Sequence, residues 1–97
     1  MVYEWDPEKA KANIRKHGLS FDEAATVFLD PLALTFSDPH HSDDEEEREI
    51  TIGHTVARQV VFVSHVRRSG GIRIISARKT TRREREQYEE GISSEIG

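Results

Sequence analysis

Cationic side chains are the residues of this chain best suited to chemistry, and most of them lie in one segment. Eight of the 14 lysines and arginines fall between Arg67 and Arg85, where the only acidic residue is Glu84. This basic strip carries a formal charge of +7, whereas the whole chain carries −4, so the remaining residues sum to −11. A cationic strip on an acidic protein is typical of a site for a polyanion, most often a nucleic acid. The alternative is a solvated basic face whose charges pair with acidic side chains.

Arg78 is the residue of this strip best suited to binding a phosphate. It falls where a predicted strand ends and a predicted helix is about to begin, so the free N–H groups and the dipole of that helix would add to its charge. A guanidinium also offers a rigid fork for two phosphate oxygens. Regular alternation along the strand would place Arg78 on the face opposite Arg73. The strand is apolar on both faces, so which of the two points to the core stays open.

Six more basic residues are candidates for the same site. Three of them would lie in the first turns of a helix, where positive charge opposes the helix dipole, and this unfavourable placement predicts that they bind an anion. These three are Arg82, Arg83 and Arg85, and the others are Arg48, Arg73 and Lys79.

Lys16 and His17, which precede Gly18, are a second candidate site. A histidine near the C-terminus of a helix can be held charged by the helix dipole and can serve as a general acid or base. The alternative is a packing role, because the spacing of His17 places it on one helix face with Ala10 and Ile14.

Glu84 and Tyr88 lie one helical turn apart and form a third candidate site. Thr81 and Glu84 have the spacing of a capping box, in which the two side chains satisfy N–H groups at the start of a helix. Tyr88 either packs on the sheet or reaches toward a phosphate.

A polar, acidic loop over residues 38–47 contains two adjacent histidines. His40 and His41 lie among aspartates and glutamates, a composition that suggests a metal site. Adjacent histidines rarely chelate one ion, and no H-x-x-x-H or C-x-x-C motif accompanies them. We therefore expect a solvated loop, with no metal and no other cofactor.

The elements that would position these residues follow the order β-α-α-β-β-β-β-α. Asp6-Pro7 and Gly18 bound a first helix and Ser20 opens a second, which together predict a helical hairpin. Alternation from Arg48 onward and short turns predict an antiparallel meander. The predicted strands cover 2–5, 32–36, 48–56, 60–66 and 72–78, and the last helix runs from Thr81 to about Glu90, with Gly91 ending it. The fold class is α+β: a small antiparallel sheet with an N-terminal helical hairpin and a C-terminal helix.

Composition predicts a small single domain and is compatible with a reducing compartment. The 97 residues suffice for one domain, predicted over 1–91, with a frayed tail over 92–97. Cysteine is absent, and the N-terminus lacks the basic region and apolar run of a signal peptide. No apolar stretch approaches the roughly 20 residues needed to cross a bilayer. We expect a cytoplasmic protein that does not associate with membranes.

Several short motifs, taken in order, resemble the BrnT family of bacterial ribonuclease toxins, which share the RelE-like toxin fold. The match spans nearly the whole chain, and the order and spacing of the motifs make it specific. They are Trp5-Asp6-Pro7, Lys9, Asn13, Lys16-His17-Gly18, Phe21-Asp22-Glu23-Ala24, Phe28, Asp30-Pro31, Arg48, Ile52-Gly53, the run from Ile74 to Lys79, Glu84-Arg85 and Tyr88.

This resemblance implies a toxin of a type II toxin–antitoxin system, which cleaves RNA without a metal ion and inhibits translation and growth. A small antitoxin with a ribbon-helix-helix DNA-binding part would neutralise it, and their complex would bind operator DNA. The family's pattern implies catalytic roles for Arg48, Arg78, Lys16, His17, Glu84 and Tyr88. The RNA-binding residues are expected in the basic strip, at Arg73, Lys79, Arg82, Arg83 and Arg85. The general acid and base stay unassigned.

Two other functions fit the same basic strip. One is a nucleic-acid- or partner-binding module without turnover, which the scarcity of conventional acid–base residues favours. The other is a protein that only docks an acidic antitoxin segment. RNA cleavage in the presence of excess chelator would separate a ribonuclease from both.

Overall fold

Five strands and three α-helices make up the part of the chain that the structure describes, in the predicted order. The structure is a computed structural model that describes residues 2–40 and 46–96, with side chains as far as Gly91. In chain order the elements are β1 (Val2–Glu4), α1 (Pro7–His17), α2 (Phe21–Ala25) with a 3₁₀ turn (Thr26–Leu29), β2 (Leu34–Ser37), β3 (Arg48–His54), β4 (Val60–Arg68), β5 (Gly71–Lys79) and α3 (Arg82–Ile96). The predicted α+β class is confirmed.

The strands form one sheet in the order β1-β5-β4-β3-β2. Strands β2 to β5 pair antiparallel with their neighbours in the chain, so the predicted meander is confirmed. Strand β1 lies at the edge of the sheet and pairs with β5 in parallel, unlike the antiparallel pairing predicted for the sheet. The two helices and the meander separate β1 from β5 along the chain, which provides the long crossover that a parallel pair requires.

The first two helices begin and end at residues whose chemistry predicts it. The Asp6 carboxylate accepts an N–H of the first turn at 2.8 Å, and Gly18 ends α1 with φ 65°, a conformation that glycine adopts without strain. Ser20 opens α2 by accepting the N–H of Glu23 at 3.1 Å. Glu23 does not complete a capping box there, because its carboxylate accepts the hydroxyl of Thr55 at 3.1 Å. The predicted hairpin packing of the two helices stays a prediction.

Both faces of the sheet bury side chains. The face that packs against α1, α2 and the 3₁₀ turn is called the α1 face, and the face that packs against α3 is called the α3 face. The core of the α1 face is Leu19, Phe21, Ala24, Ala25, Val27, Val61, Val63, Ile72, Ile74 and Ala77. The core of the α3 face is smaller and consists of Ile50, Ile52, Val60 and Tyr88. Since burial of a large apolar side chain stabilises by roughly 1.5–3 kcal/mol, the α1 face supplies most of the hydrophobic stabilisation.

A β-bulge in β5 changes which of its side chains share a face. Ser64 pairs with Ser76 and His65 pairs with Ile74, so Ile75 is an extra residue in the ladder. A bulge of this kind shifts the alternation of the strand by one residue.

Arg73 and Arg78 therefore lie on the same face of the sheet. Ile74 and Ala77 both belong to the core of the α1 face, although regular alternation would place them on opposite faces. Arg73 and Arg78, each next to one of these residues, both lie on the α3 face. The prediction that these two arginines lie on opposite faces is wrong, because it assumed a strand without a bulge.

Helix α3 extends further than the sequence predicts. It continues through Gly91 to Ile96, whereas Gly91 was expected to end it. A glycine inside a helix costs only about 1 kcal/mol relative to alanine, and Gly91 lies over β2, where an added Cβ would be 3.6 Å from Leu34 Cδ2. The frayed tail over 92–97 stays a prediction. Among the described residues, no helix is long and apolar enough to cross a membrane.

Candidate active site

Arg78 and Glu84 form a two-point ion pair where β5 gives way to α3. The Arg78 Nη1–H donates to Glu84 Oε1 at 2.8 Å, and its Nη2–H donates to Oε2 at 2.9 Å. The same carboxylate accepts the N–H of Thr81 at 2.9 Å, and the Thr81 hydroxyl accepts the N–H of Glu84 at 3.2 Å. The predicted capping box is thus formed, and it also fixes the carboxylate that holds Arg78.

The Arg78 guanidinium keeps one of its two forks free. Its remaining Nη1–H donates to the Lys79 carbonyl at 3.2 Å, and its carbon lies 3.9 Å from the centre of the Phe62 ring. Its Nε–H and second Nη2–H make no hydrogen bond with a described residue. These two donors form the side edge of the guanidinium, which is the geometry that binds two oxygens of a phosphate. The side chain is 35% exposed, so a ligand can reach it.

The ion pair keeps both partners charged. The hydrogen bonds that Arg78 donates to Glu84 raise the pKa of Arg78 above its usual value. The hydrogen bond from Arg78, against the opposing effect of burial, lowers the pKa of Glu84 below its usual value. A carboxylate held in its charged form is a poor proton donor or acceptor near neutral pH. In this structure Glu84 fixes the orientation of Arg78, and its catalytic role stays a prediction.

Arg48 and Arg73 lie in one row of the α3 face. Both have Val66 as their Cα partner, one from β3 and the other from β5. Their Cα atoms are therefore about 10 Å apart, the width of two strand spacings. Arg73 is 3.9 Å from the carboxylate of Glu4, a distance too long for a hydrogen bond.

An exposed aromatic ring lies beside this row. Phe36 of β2 pairs with Ile50 of β3, which is two residues after Arg48. Phe36, Ile50 and Arg48 therefore share the α3 face. Phe36 is 45% exposed. Aromatic rings next to basic side chains are the surface on which proteins stack single-stranded bases.

Lys16 and His17 lie at the end of a helix that is held against β5. Asn13 accepts the Ala77 N–H at 3.1 Å and donates to the Ala77 carbonyl at 2.8 Å, so α1 covers the edge of β5 next to Arg78. Lys16 is exposed and His17 is half-buried. Neither makes a hydrogen bond or an ion pair with Arg78 in the described structure.

The apolar helix face predicted for His17 is not formed as expected. Ile14 is 51% exposed, and the buried residue of α1 is Asn13. The helix is anchored through this polar side chain because β1 pairs only with the first residues of β5, which leaves the backbone of Ala77 available at the sheet edge.

Tyr88 is buried under α3, and its hydroxyl is held from two sides. It donates to Asp30 Oδ2 at 2.5 Å, and His54 Nδ1 lies 2.7 Å from the same hydroxyl. Asp30 also accepts the backbone N–H groups of His54 and Leu32, both at 2.9 Å. Since the carboxylate can only accept, the Tyr88 proton points to Asp30, and His54 donates its Nδ1–H to the tyrosine oxygen.

Burial is the largest influence on the pKa values of Tyr88 and Asp30. It raises the pKa of Tyr88 well above its usual value, and the hydrogen bond to Asp30 raises it further. Burial also acts to raise the pKa of Asp30, but the hydrogen bonds from Tyr88, His54 and Leu32 outweigh it and lower that pKa. A tyrosine that holds its proton this tightly and is 1% exposed anchors α3 to the sheet.

The remaining predicted RNA-binding residues surround the start of α3. Arg82 and Arg85 donate to glutamates one helical turn later, Glu86 and Glu89, at 3.1 and 2.9 Å. Lys79 and Arg83 are exposed and form no ion pair with a described residue. Arg82 and Arg85 thus fit, in part, the alternative of a solvated basic face whose charges pair with acidic side chains.

Three residues of this region were not candidates in the sequence analysis: Phe36, His54 and Phe62. Asp30 was recognised there only as part of the Asp30-Pro31 motif. The roles of all four depend on strand register or on contacts between distant parts of the chain. Alternation along β3 places His54 on the face of Ile50 and Ile52, but nothing local indicates that it meets Tyr88.

The histidines predicted to lie in a solvated loop are described only in part. His40 is exposed, whereas His41 and the acidic residues 43–45 lie outside the described residues. The described part of the chain contains no group of three or more metal-ligating side chains, and the absence of a metal stays a prediction.

Comparisons with known proteins agree with this architecture. A family model described as "Ribonuclease toxin, BrnT, of type II toxin-antitoxin system" matches residues 5–84. Among solved structures, the crystal structure of the Brucella abortus ribonuclease toxin, BrnT, is similar with a TM-score of 0.63 and 23% sequence identity, and the alignment covers 84% of this chain and 100% of that chain. No curated protein matches the sequence. At this identity the structural likeness shows the fold, and the family model, which covers most of the chain, shows the family.

Proposed function

Since the chain belongs to the BrnT family of ribonuclease toxins of type II toxin–antitoxin systems, we propose that it is an endoribonuclease that cleaves RNA without a metal ion and so inhibits translation and growth. The single observation that supports a site at Arg78 is the free fork of its guanidinium, beside a carboxylate that fixes its orientation. A guanidinium fixed in this way binds the scissile phosphate and stabilises the negative charge that develops on it.

The reaction uses the 2′-hydroxyl of the RNA as nucleophile. Its oxygen attacks the adjacent phosphorus, the bond from phosphorus to the 5′-oxygen breaks, and a cyclic phosphate and a 5′-hydroxyl result. One group must take the proton of the 2′-hydroxyl, and another must give a proton to the leaving oxygen. Lys16 and His17 are the proposed proton carriers. Although α1 packs against the face of the sheet opposite Arg78, it also covers the edge of β5 at Ala77, and an RNA strand that passes over this edge would meet both sites.

The other arginines of the α3 face extend the same surface. Arg48 contributes to the charge at the reacting phosphate, and Arg73 binds the strand beyond it. Four basic residues bind phosphates on the side of Arg78 away from Arg48 and Arg73. They are Lys79, Arg82, Arg83 and Arg85. Glu84 and Tyr88 act as positioning residues, the first through Arg78 and the second through the packing of α3.

Membership in a type II system implies an antitoxin partner. We propose that this antitoxin carries a ribbon-helix-helix part, that the complex binds operator DNA, and that the toxin acts in the cytoplasm. Co-expression with the neighbouring small reading frame tests the partner. A stable complex that lacks ribonuclease activity and shifts operator DNA is expected, and a neighbour that leaves the activity unchanged would contradict it.

The test of cleavage uses purified protein, RNA and excess chelator. We expect the wild type to cleave and Arg78→Ala to lose at least about 10²-fold in rate, the usual effect of removing one donor to a developing oxyanion. Arg67→Ala removes a basic residue paired with Glu49 in the hairpin at the far end of the sheet, so it should cleave like the wild type. Intact RNA with all three proteins would contradict the proposed activity.

Arg78→Lys is a second variant that tests the role of the guanidinium, and it serves also if the alanine variant folds poorly. It preserves the charge and removes the planar fork. We expect RNA binding within a few-fold of wild type and cleavage reduced as in the alanine variant. Cleavage at the wild-type rate would show that charge alone suffices.

A binding module without turnover is the second candidate. The charged state of Glu84 and the tightly held proton of Tyr88 favour it, because neither side chain beside the arginines exchanges a proton readily near neutral pH. It predicts salt-sensitive RNA binding without products under the same conditions.

A further inference from the structure

A second basic site lies where the turn between β3 and β4 meets the start of α3. A cavity of about 520 Å³ opens there. Four of the side chains that line it are cationic and none is acidic: Arg58, Lys79, Arg82 and Arg85. Three polar residues, Gln59, Thr80 and Thr81, also line it. We call this cavity the Arg58 pocket.

The positive charge of the Arg58 pocket comes from its side chains. The capping box occupies the N–H groups of Thr81 and Glu84 at the start of α3, whereas four cationic side chains line the pocket. Arg82 and Arg85 are partly neutralised by glutamates along the helix. Arg58 and Lys79 make no ion pair with a described residue, which leaves two positive charges directed at solvent in a concave site.

Arg58 has an unusual backbone. Its φ of 63° makes it the one non-glycine residue with positive φ in the described chain. Side chains with a Cβ are strained in this region, and glycine is not. An arginine kept at a position where glycine would be more stable points to a use for its side chain.

The turn that carries Arg58 is held rigidly. The Thr55 hydroxyl accepts the N–H groups of Ala57 and Gln59 at 3.2 and 3.3 Å. It donates to Glu23 of α2 at 3.1 Å. The guanidinium is therefore presented from a fixed backbone, which lowers the entropy lost when it binds a ligand.

The Arg58 pocket adjoins the Arg78 site. Lys79 follows Arg78 in β5, and Thr81 both lines the pocket and bonds the carboxylate that holds Arg78. We propose that the pocket holds a phosphate of the RNA strand neighbouring the one at Arg78, with Arg58 and Lys79 as its ligands. This inference rests on the proposed function, because it takes RNA as the polyanion.

The lining favours RNA over an acidic protein segment. Val60 is its only apolar residue, whereas protein partners depend on apolar or aromatic anchors at the centre of an interface. Hydroxyl, amide, ammonium and guanidinium groups are the usual ligands of a nucleic-acid backbone.

Arg58→Gly is the variant that tests this inference. It removes the cation and relieves the strained φ, so the melting temperature should stay equal or rise. With an uncleavable 2′-O-methyl RNA oligonucleotide, we expect affinity to fall several-fold. The slope of log K against log salt should decrease by about 0.7, the value for one lost phosphate contact on a single strand. Arg15→Ala, at an exposed arginine of α1, is the matched control and should bind like the wild type.

Three outcomes decide whether the Arg58 pocket binds a phosphate of RNA. Arg58→Gly with wild-type affinity and salt slope overturns the inference. Weaker binding of Arg58→Gly to a polyglutamate peptide, with unchanged binding to the RNA, also overturns it and assigns the pocket to an acidic protein. Binding that depends on Arg58 supports it even if the wild type cleaves no RNA, a result that would overturn the proposed function alone.

Discussion

Arg78 and Glu84, six residues apart, are joined by two hydrogen bonds of 2.8 and 2.9 Å between the end of β5 and the first turn of α3. The carboxylate also caps the helix through Thr81. One acidic residue thus begins a helix, partly neutralises an arginine and fixes the direction of its free fork.

Glu84→Gln should distinguish the effect of the Glu84 charge on RNA binding from its effect on the orientation of Arg78. Removing the negative charge should tighten binding of uncleavable RNA a few-fold, because it removes the repulsion between the carboxylate and a phosphate bound to the other edge of Arg78. Cleavage should fall about tenfold or more, since the guanidinium is no longer held by two points. Fluorescence anisotropy and single-turnover cleavage measure the two effects. Glu8→Gln, which unpairs only the exposed Lys11 of α1, should change neither, and wild-type cleavage by Glu84→Gln would contradict the positioning role.

Tyr88→Phe should weaken the fold and leave cleavage intact. The change removes the hydrogen bond to Asp30 and leaves His54 Nδ1 without its partner, a loss of about 1–3 kcal/mol of unfolding free energy. Urea unfolding measures it, and the rate should be compared per folded molecule. Tyr3→Phe is the control, because the Tyr3 hydroxyl makes no hydrogen bond with a described residue. If Tyr88→Phe is as stable as wild type but inactive, Tyr88 is catalytic.

His65 should make the fold sensitive to mild acid. It is fully buried, its Nε2 lies 2.7 Å from the Thr51 hydroxyl, and its Nδ1 has no hydrogen-bond partner. Burial, with the nearby charge of Arg67, lowers its pKa from 6.5 to about 4. Between these values the unfolded chain binds a proton that the folded chain does not, so stability is lost as the pH falls. The loss should total about 3 kcal/mol.

His65→Gln tests this pH dependence. Glutamine does not titrate and keeps a polar atom near Thr51, so the variant should lose less stability than the wild type between pH 6.5 and 4. Urea unfolding at pH 7, 6, 5 and 4 measures the difference. Parallel curves for the two proteins would show that His65 does not carry the effect.

Local signals in the sequence determined the elements and most of their ends. Asp6, Ser20 and the Thr81–Glu84 pair begin helices because their side chains satisfy free N–H groups within a few residues. Gly18 ends one because glycine adopts the required positive φ without strain. Alternation predicted the strands of the meander, because side chains on adjacent positions point to opposite faces. The clustering of arginines, and with it a polyanion site, is also a property of the sequence itself.

Tertiary structure decided which of these residues meet. The bulge at Ile75 brings Arg73 and Arg78 to one face, and it depends on how β5 pairs with β4. The contact between Asp30 and Tyr88 spans 58 residues and that between Asn13 and Ala77 spans 64. No local propensity encodes such contacts, because they form only when the sheet register and the packing of α1 and α3 are fixed together.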